Sequence, residues 1–323
     1  MKTKILLAIA SLISTASIPA LSQDIWPKGN VTIVVGYGAG GTTDILARAL
    51  ANDLGKRLNR TFIVENKAGA SSNIGADFVR RAKPDGLTLF VGTTANAINN
   101  SLYKNLKFDF SKDFKPIAKL AGVPNVVVVK KNRDLTNLEQ YIAFSKLEDA
   151  TCASSGIGSA VHMSCELFNS ILDTKIRHVP FKGSGDAMSA LLGGHVTSAF
   201  DNLPTVMANI KSGNLTALAV TTSKRSSQLP DVPTIQEKIG KPFHVEAWFG
   251  VFSPTGIPED VAEKINFEIN KTLEGKEFRE KMNDVGATAP ANGTNTLSAF
   301  DAHTKKEIKV WGELINKLDV KAE

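Results

Sequence analysis

Several absences narrow this sequence before any motif does. Beyond its N-terminus no apolar run reaches the roughly 20 residues needed to cross a bilayer. There is no block of like charge and no low-complexity segment. The formal net charge is +6 and falls to about +4 once Lys2 and Lys4 are set aside. Basic and acidic residues are interspersed, so neither nucleic acid nor a membrane surface is an expected partner. No G-x-S-x-G nucleophile elbow occurs. His162, His178 and His195 fall in different elements and lack a metal-ligand spacing such as H-E-x-x-H. No catalytic residue, metal ligand or cofactor is therefore assigned.

What is present begins with an export address. Lys2 and Lys4 form a positive n-region, Ile5 to Ile18 carry no charge, and Ala20-Leu21-Ser22 places small residues at a cleavage site. This is a Sec-type signal peptide over residues 1–22. No cysteine follows the apolar run, so a lipoprotein anchor is not expected, and the mature chain is predicted to be soluble in the periplasm. That oxidising compartment favours a disulfide between Cys152 and Cys165. In the chain-entropy model so short a loop contributes about 3 kcal/mol. Two buried free thiols are the alternative, and a metal site with nearby His162 is the weaker one.

The mature length of about 300 residues predicts two domains. Strand-like and helix-like segments alternate almost throughout. Val31–Val35, Thr61–Glu65, Leu87–Val91, Val126–Val129, Thr151–Ser154, Arg177–Phe181, His195–Phe200 and Leu215–Thr221 read as strands. Helical spacing separates most of them, and Glu246–Pro254 reads as a strand returning to the first half. Such βαβ alternation predicts an α/β fold of two lobes, each a mostly parallel sheet flanked by helices. The lobes are expected at 23–123 with 246–323, and at 124–245. Ligands of such folds bind beyond the carboxyl ends of the strands.

Four loops there share one chemistry. Gly36-Tyr37-Gly38-Ala39-Gly40-Gly41 follows a strand and leads into Thr42 and Thr43. On pattern alone this is a dinucleotide fingerprint, but the exported compartment and the lack of a hydride-transfer constellation argue against that reading. A glycine-rich loop before a helix holds any anion through free N–H groups and the helix dipole. Thr42 and Thr43 add hydroxyls and a helix N-cap. Ser71, Ser72 and Asn73 repeat the design, as do Ser155 with Ser159, and Lys182, Gly183 and Ser184. Thr93 is a further hydroxyl just past a strand, and Asp201 stands at another strand end, either as a ligand acceptor or as a helix cap. Tyr37, Ala39 and Gly40 complete the candidates. Neutral donors from both lobes suit a small carboxylate.

Several blocks together resemble one family. They are Ile33–Arg48 (IVVGYGAGGTTDILAR), Val64–Asp77 (VENKAGASSNIGAD), Lys83–Leu89 (KPDGLTL), Ser154–Phe168, His178–Gly194, Phe200–Pro204 (FDNLP) and Glu246–Pro254 (EAWFGVFSP). Over nearly the whole mature chain the sequence resembles the Bug (TctC-like) extracytoplasmic solute receptors of tripartite tricarboxylate transporters. The resemblance implies a Venus-flytrap fold, a monomer, and a small organic carboxylate held between the lobes. It implies that Tyr37 to Thr43 grip one carboxylate, with Ser155, Ser159, Lys182 to Ser184 and Asp201 opposite. It also implies a disulfide where Cys152 and Cys165 stand, a transporter membrane complex as partner, and no enzymatic activity. The family usually places prolines where Gly36 and Gly38 flank Tyr37, which predicts a freer loop backbone here.

Overall fold

The computed structural model describes residues 26–131, 134–147, 149–318 and 320–322. The expected signal peptide lies outside them. In chain order the elements are β1 (Val31–Val35), α1 (Thr42–Leu58), β2 (Phe62–Asn66), α2 (Asn73–Arg80), β3 (Thr88–Thr93), α3 (Thr94–Leu102), α4 (Phe110–Asp113) and β4 (Phe114–Lys130). Next come α5 (Leu138–Leu147), β5 (Thr151–Ser154), α6 (Ala160–Leu172), β6 (Arg177–Pro180), α7 (Ser184–Gly193), β7 (Ser198–Asn202), α8 (Leu203–Lys211), β8 (Leu215–Val220) and α9 (Ile235–Ile239). The chain continues through β9 (Glu246–Pro254), α10 (Glu259–Glu274), α11 (Lys276–Asp284) and α12 (Leu297–Leu318).

β1 is VTIVV and is almost wholly buried, as a strand covered by helices on both faces must be. It pairs in parallel with β2 and β3. β9 runs antiparallel to β3, and β4 runs antiparallel to β9. In the other lobe β5 pairs in parallel with β6 and β7, while β4 is antiparallel to β7 and β8. Each sheet is therefore mixed. The βαβ strands are parallel as expected, and the antiparallel pairs arise where β4 and β9 carry the chain out of one lobe and back.

β4 hands over from β9 to β7 between Pro124 and Asn125. Only its last part was legible as a strand in the sequence, because Pro116, Gly122 and Pro124 interrupt the pattern. Proline is tolerated at bulges, and the β4–β9 register does shift beside Pro116. One apolar core joins the lobes, from Phe90, Phe252 and Phe300 through to Phe168 and Phe200. α12 is pinned across β9 by Glu307, which accepts from Trp248 Nε1 at 3.0 Å and from Trp311 Nε1 at 3.1 Å.

The expected disulfide is not formed. Cys152 on β5 and Cys165 on α6 are both free and buried. The Cys152 thiol instead points to its neighbour's carbonyl, 3.7 Å from Ala153 O. Burial, with Cys152 beside it, pushes the Cys165 thiol well above its ordinary range, so that thiol stays protonated. Sequence spacing and compartment set loop length and redox bias, not the orientation of two side chains. Among the described residues no helix is long and apolar enough to cross a membrane.

Candidate ligand-binding site between the lobes

Loops at the carboxyl ends of β1 and β3 face loops that follow β5, β6 and β7. The two sides touch closely. Gly38 N donates to Lys182 O at 3.4 Å, and a Cβ on Gly183 would stand 3.1 Å from Gly38 N. Thr42 N donates to Thr205 Oγ1 at 3.1 Å, and the two hydroxyls lie 2.9 Å apart. On the far side Tyr103 Oη donates to Ile157 O at 3.1 Å.

Between these contacts lies a cavity of ≈ 30 Å³, room for about one or two waters. Of the expected residues, Tyr37, Thr42, Thr43, Thr93, Ser155, Ser159 and Ser184 line it. Gly41, Thr94, Ala95, Ala160, Val161, Asn202, Ala247 and Phe249 line it as well. None of these fifteen side chains carries a charge. Thr94, Asn202, Ala247 and Phe249 were within sight in the sequence: they adjoin Thr93 and Asp201 or sit in the EAWFGVFSP block. Burial raises the Tyr37 phenol above its ordinary value, against the pull of the Thr93 and Ser71 hydroxyls.

The other expected residues stand outside the cavity wall. Ala39 and Gly40 are exposed, and Gly40 N donates to Asp44 Oδ2 at 3.1 Å. That carboxylate also accepts from Arg48 and Asn66. Burial works to raise it, but these hydrogen bonds outweigh burial and hold it below the usual range. Part of the α1 N-terminus is thus satisfied within the loop itself. The cap expected from Thr42 or Thr43 is Gly41 instead, with no side-chain cap bond; the threonines are the first two residues of the helix.

Ser71, Ser72 and Asn73 lie behind Tyr37. Ala70, Ser71 and Ser72 all have positive φ (45°, 48° and 77°), a costly run for residues with a Cβ. Asn99 holds it, donating through Nδ2 to Ser71 O at 2.8 Å and Asn73 Oδ1 at 2.9 Å. The Ser72 hydroxyl is buried without a partner among the described residues, while the Ser71 hydroxyl faces the Tyr37 phenol. A Cβ at position 36 would come within 1.9 Å of Ser72 Oγ. Gly36 is therefore packed against the turn, contrary to the expectation of a freer backbone there.

Lys182 is exposed and meets the first lobe through its carbonyl. Gly183 caps α7. Asp201 is fully buried. Its Oδ1 accepts from Ser184 Oγ and Asn202 N, both at 2.7 Å, and its Oδ2 has no partner among the described residues. Burial raises its carboxyl to about 6. It thereby fixes Ser184 and Asn202, two wall residues, from behind.

A serine and two histidines do converge nearby. Ser154 Oγ lies 2.5 Å from His178 Nε2, and His178 stacks on His162 with ring centres 3.9 Å apart. Burial, then His162, lowers His178 to about 3. Ser154 is fully buried and absent from the cavity wall, so its hydroxyl has no path to a substrate there. Among the described residues no group of His, Cys, Asp and Glu could hold a metal ion.

Two α/β lobes on crossing strands, with a donor-lined cleft between them, define a periplasmic solute-binding protein. Residues 46–320 match the family model for the tripartite tricarboxylate transporter family receptor, and the chain belongs to that family. Its members are solute-binding receptors, not enzymes. The chain is 34% identical over 325 residues to Protein BugT of Bordetella pertussis, covering 99% of this chain and 98% of that one. The structure of the periplasmic binding protein BugD superposes with a TM-score of 0.88 at 33% identity, covering 92% of this chain and 100% of BugD. MatC from Rhodopseudomonas palustris with bound malate superposes at 0.84 with 30% identity, covering 90% of this chain and 100% of MatC.

Proposed function

We infer that this protein captures a small organic carboxylate in the interlobe cleft and presents it to a tripartite tricarboxylate transporter. The observation that carries the reading is the wall itself: hydroxyl groups from both lobes, with no charged side chain, around one cavity. Neutral donors held rigidly in a dry site bind a carboxylate without cancelling its charge. Malate in the MatC structure supports the ligand class. The lobes in this reading are residues 23–123 with 246–323, and 124–245. The contacts are Tyr37, Thr42, Thr43 and Thr93 on one side and Ser155, Ser159 and Ser184 on the other. The chain works as an exported monomer.

A thermal-shift screen over dicarboxylates, tricarboxylates, amino acids and aromatic acids tests this. A cognate acid at 100 times its dissociation constant adds about 2.7 kcal/mol of stability and is recovered unchanged. A screen in which no acid shifts the melting temperature, or in which the acid is recovered chemically altered, overturns the reading.

A further inference from the structure

A second cavity, of ≈ 370 Å³, lies behind the crossing strands. It shares no lining residue with the interlobe cavity and falls in the range of small-molecule sites, roughly 300–1,000 Å³. Lys119 and Gly122 of β4, Glu246 at the start of β9, and Phe300 and His303 of α12 form its walls, with Pro290 in the loop between.

Three of these groups are ionisable and idle. The Lys119 backbone is clamped by Asn295, which accepts from Lys119 N and donates to Lys119 O, both at 3.0 Å. Its ammonium, although mostly enclosed, has no ion pair or hydrogen bond with any described residue. Burial lowers it below the ordinary lysine value, with Glu246 and Glu307 opposing. The His303 ring sits between Trp248, edge-on at 5.4 Å, and Phe300, stacked at 6.2 Å. Its Nε2 is buried without a partner among the described residues. Burial, then Lys119, lowers it to about 4, so the ring is neutral at pH 7. Glu246 is exposed at the rim over Gly122, where a Cβ would stand 2.9 Å from Oε1. Its carboxylate is likewise without an ion pair among the described residues.

Glu246 and Glu307 act on this ammonium only from a distance; an enclosed ammonium with no partner in contact is costly, and a carboxylate is its natural complement. A simple anion, however, would also meet Glu246. A ligand with a carboxylate at one end and an ammonium at the other satisfies both groups, and its apolar part lies against Ala289 and Pro290. We propose that this cavity is a second ligand site, distinct from the interlobe cleft, that holds a free α-amino acid as its zwitterion: carboxylate toward Lys119 and His303, ammonium toward Glu246.

The test is a ¹H–¹⁵N titration of the labelled protein, reading the indole signal of Trp248, assigned with Trp26→Phe and Trp311→Phe. The probes are glycine, alanine, leucine and phenylalanine. Leucine's two one-charge analogues, 4-methylpentanoate and 3-methylbutylamine, serve as controls. At least one amino acid is expected to give a saturable shift below about 10 mM, with the matching analogues weaker by about tenfold or more. Lys119→Met and Glu246→Gln should each weaken it roughly ten- to a hundredfold, and Thr43→Ala should leave it unchanged. Glu246 is exposed, so the Gln variant folds even if the Met variant does not. Four results overturn the proposal: no saturable shift with any amino acid; a carboxylate-only analogue that binds as tightly as its amino acid; a shift untouched by Glu246→Gln; or a shift abolished by Thr43→Ala, which would place the amino acid in the interlobe cleft.

Discussion

Replacing Asp201 by Asn tests how the wall of the cleft is held. Asp201 is fully buried, and burial moves its carboxyl from 3.8 to about 6. Unfolded, the group ionises near its ordinary value. Between these pH values the folded state therefore keeps a proton that the unfolded state has released. The contribution to stability is greatest below 3.8 and is lost as pH rises through about 6, a total of about 3 kcal/mol at 1.36 kcal/mol per pH unit. By pH 4.5 about 1 kcal/mol of this is already gone, so about 2 kcal/mol more disappears by pH 7.5. Asn keeps an oxygen for the Ser184 and Asn202 donors and never ionises. In urea unfolding of the ligand-free protein, the stability of Asp201→Asn relative to wild type should rise by about 2 kcal/mol from pH 4.5 to 7.5. Other titrating groups cancel in that difference. A difference that stays constant with pH, or that falls, refutes the reasoning and means that Oδ2 has a partner that stabilises its charge.

Three further outcomes follow from the geometry. Thr43 lines the cavity but does not cap α1, so Thr43→Ala should lower affinity for the cognate acid roughly 10- to 100-fold with little change in the apo melting temperature; calorimetry and thermal unfolding separate the two. Thr205→Val removes the acceptor of Thr42 N and the partner of Thr42 Oγ1, contacts that exist only when the lobes meet. The unliganded radius of gyration should rise in small-angle scattering; no change counts against an interlobe lock. Unfolded, unreduced protein should titrate two thiols, since Cys152 and Cys165 are free, and a count of zero means that they are bridged.

The sequence made the fold legible wherever burial and periodicity agree. Thr151–Ser154, Ala160–Leu172 and Glu246–Pro254 were readable to the residue, because each is a short apolar run or a strongly amphipathic helix bounded by Gly, Ser or Pro. α3 was not readable. Its sequence, TANAINNSL, is polar by composition, yet Asn96 and Asn99 are buried because they cap the helix and clamp the Ser71 turn. The first part of β4 was hidden by its prolines and glycine. At the candidate site, the strand-end rule pointed to loops that line one cavity but could not tell a wall from its backing. Ser184 and Asp201 are hydrogen-bonded to each other, yet only Ser184 lines the cavity. That distinction depends on which way a side chain turns at the end of a strand, and a single sequence with four similar loops does not encode it visibly.

The closed cleft sets its own condition on binding. A space of ≈ 30 Å³ admits no organic acid, so the ligand enters only when the lobes part. Among the described residues no ion pair joins them. What must separate includes Gly38 from Lys182, Thr42 from Thr205, and Tyr103 from Ile157, all neutral hydrogen bonds. Each is worth about 0.5–1.5 kcal/mol net, since water takes over both partners. Opening at this edge therefore costs a few kcal/mol, while the apolar core behind the crossing strands stays intact. The Thr43 and Ser155 hydroxyls line the cavity and have no hydrogen bond among the described residues. A carboxylate that accepts from two or three such donors gains about 1.5–3 kcal/mol from each, enough to offset the opening. In the proposed function, lobe closure and ligand capture are set by the same few neutral groups, so one Thr or Ser substitution at the cleft should shift both together.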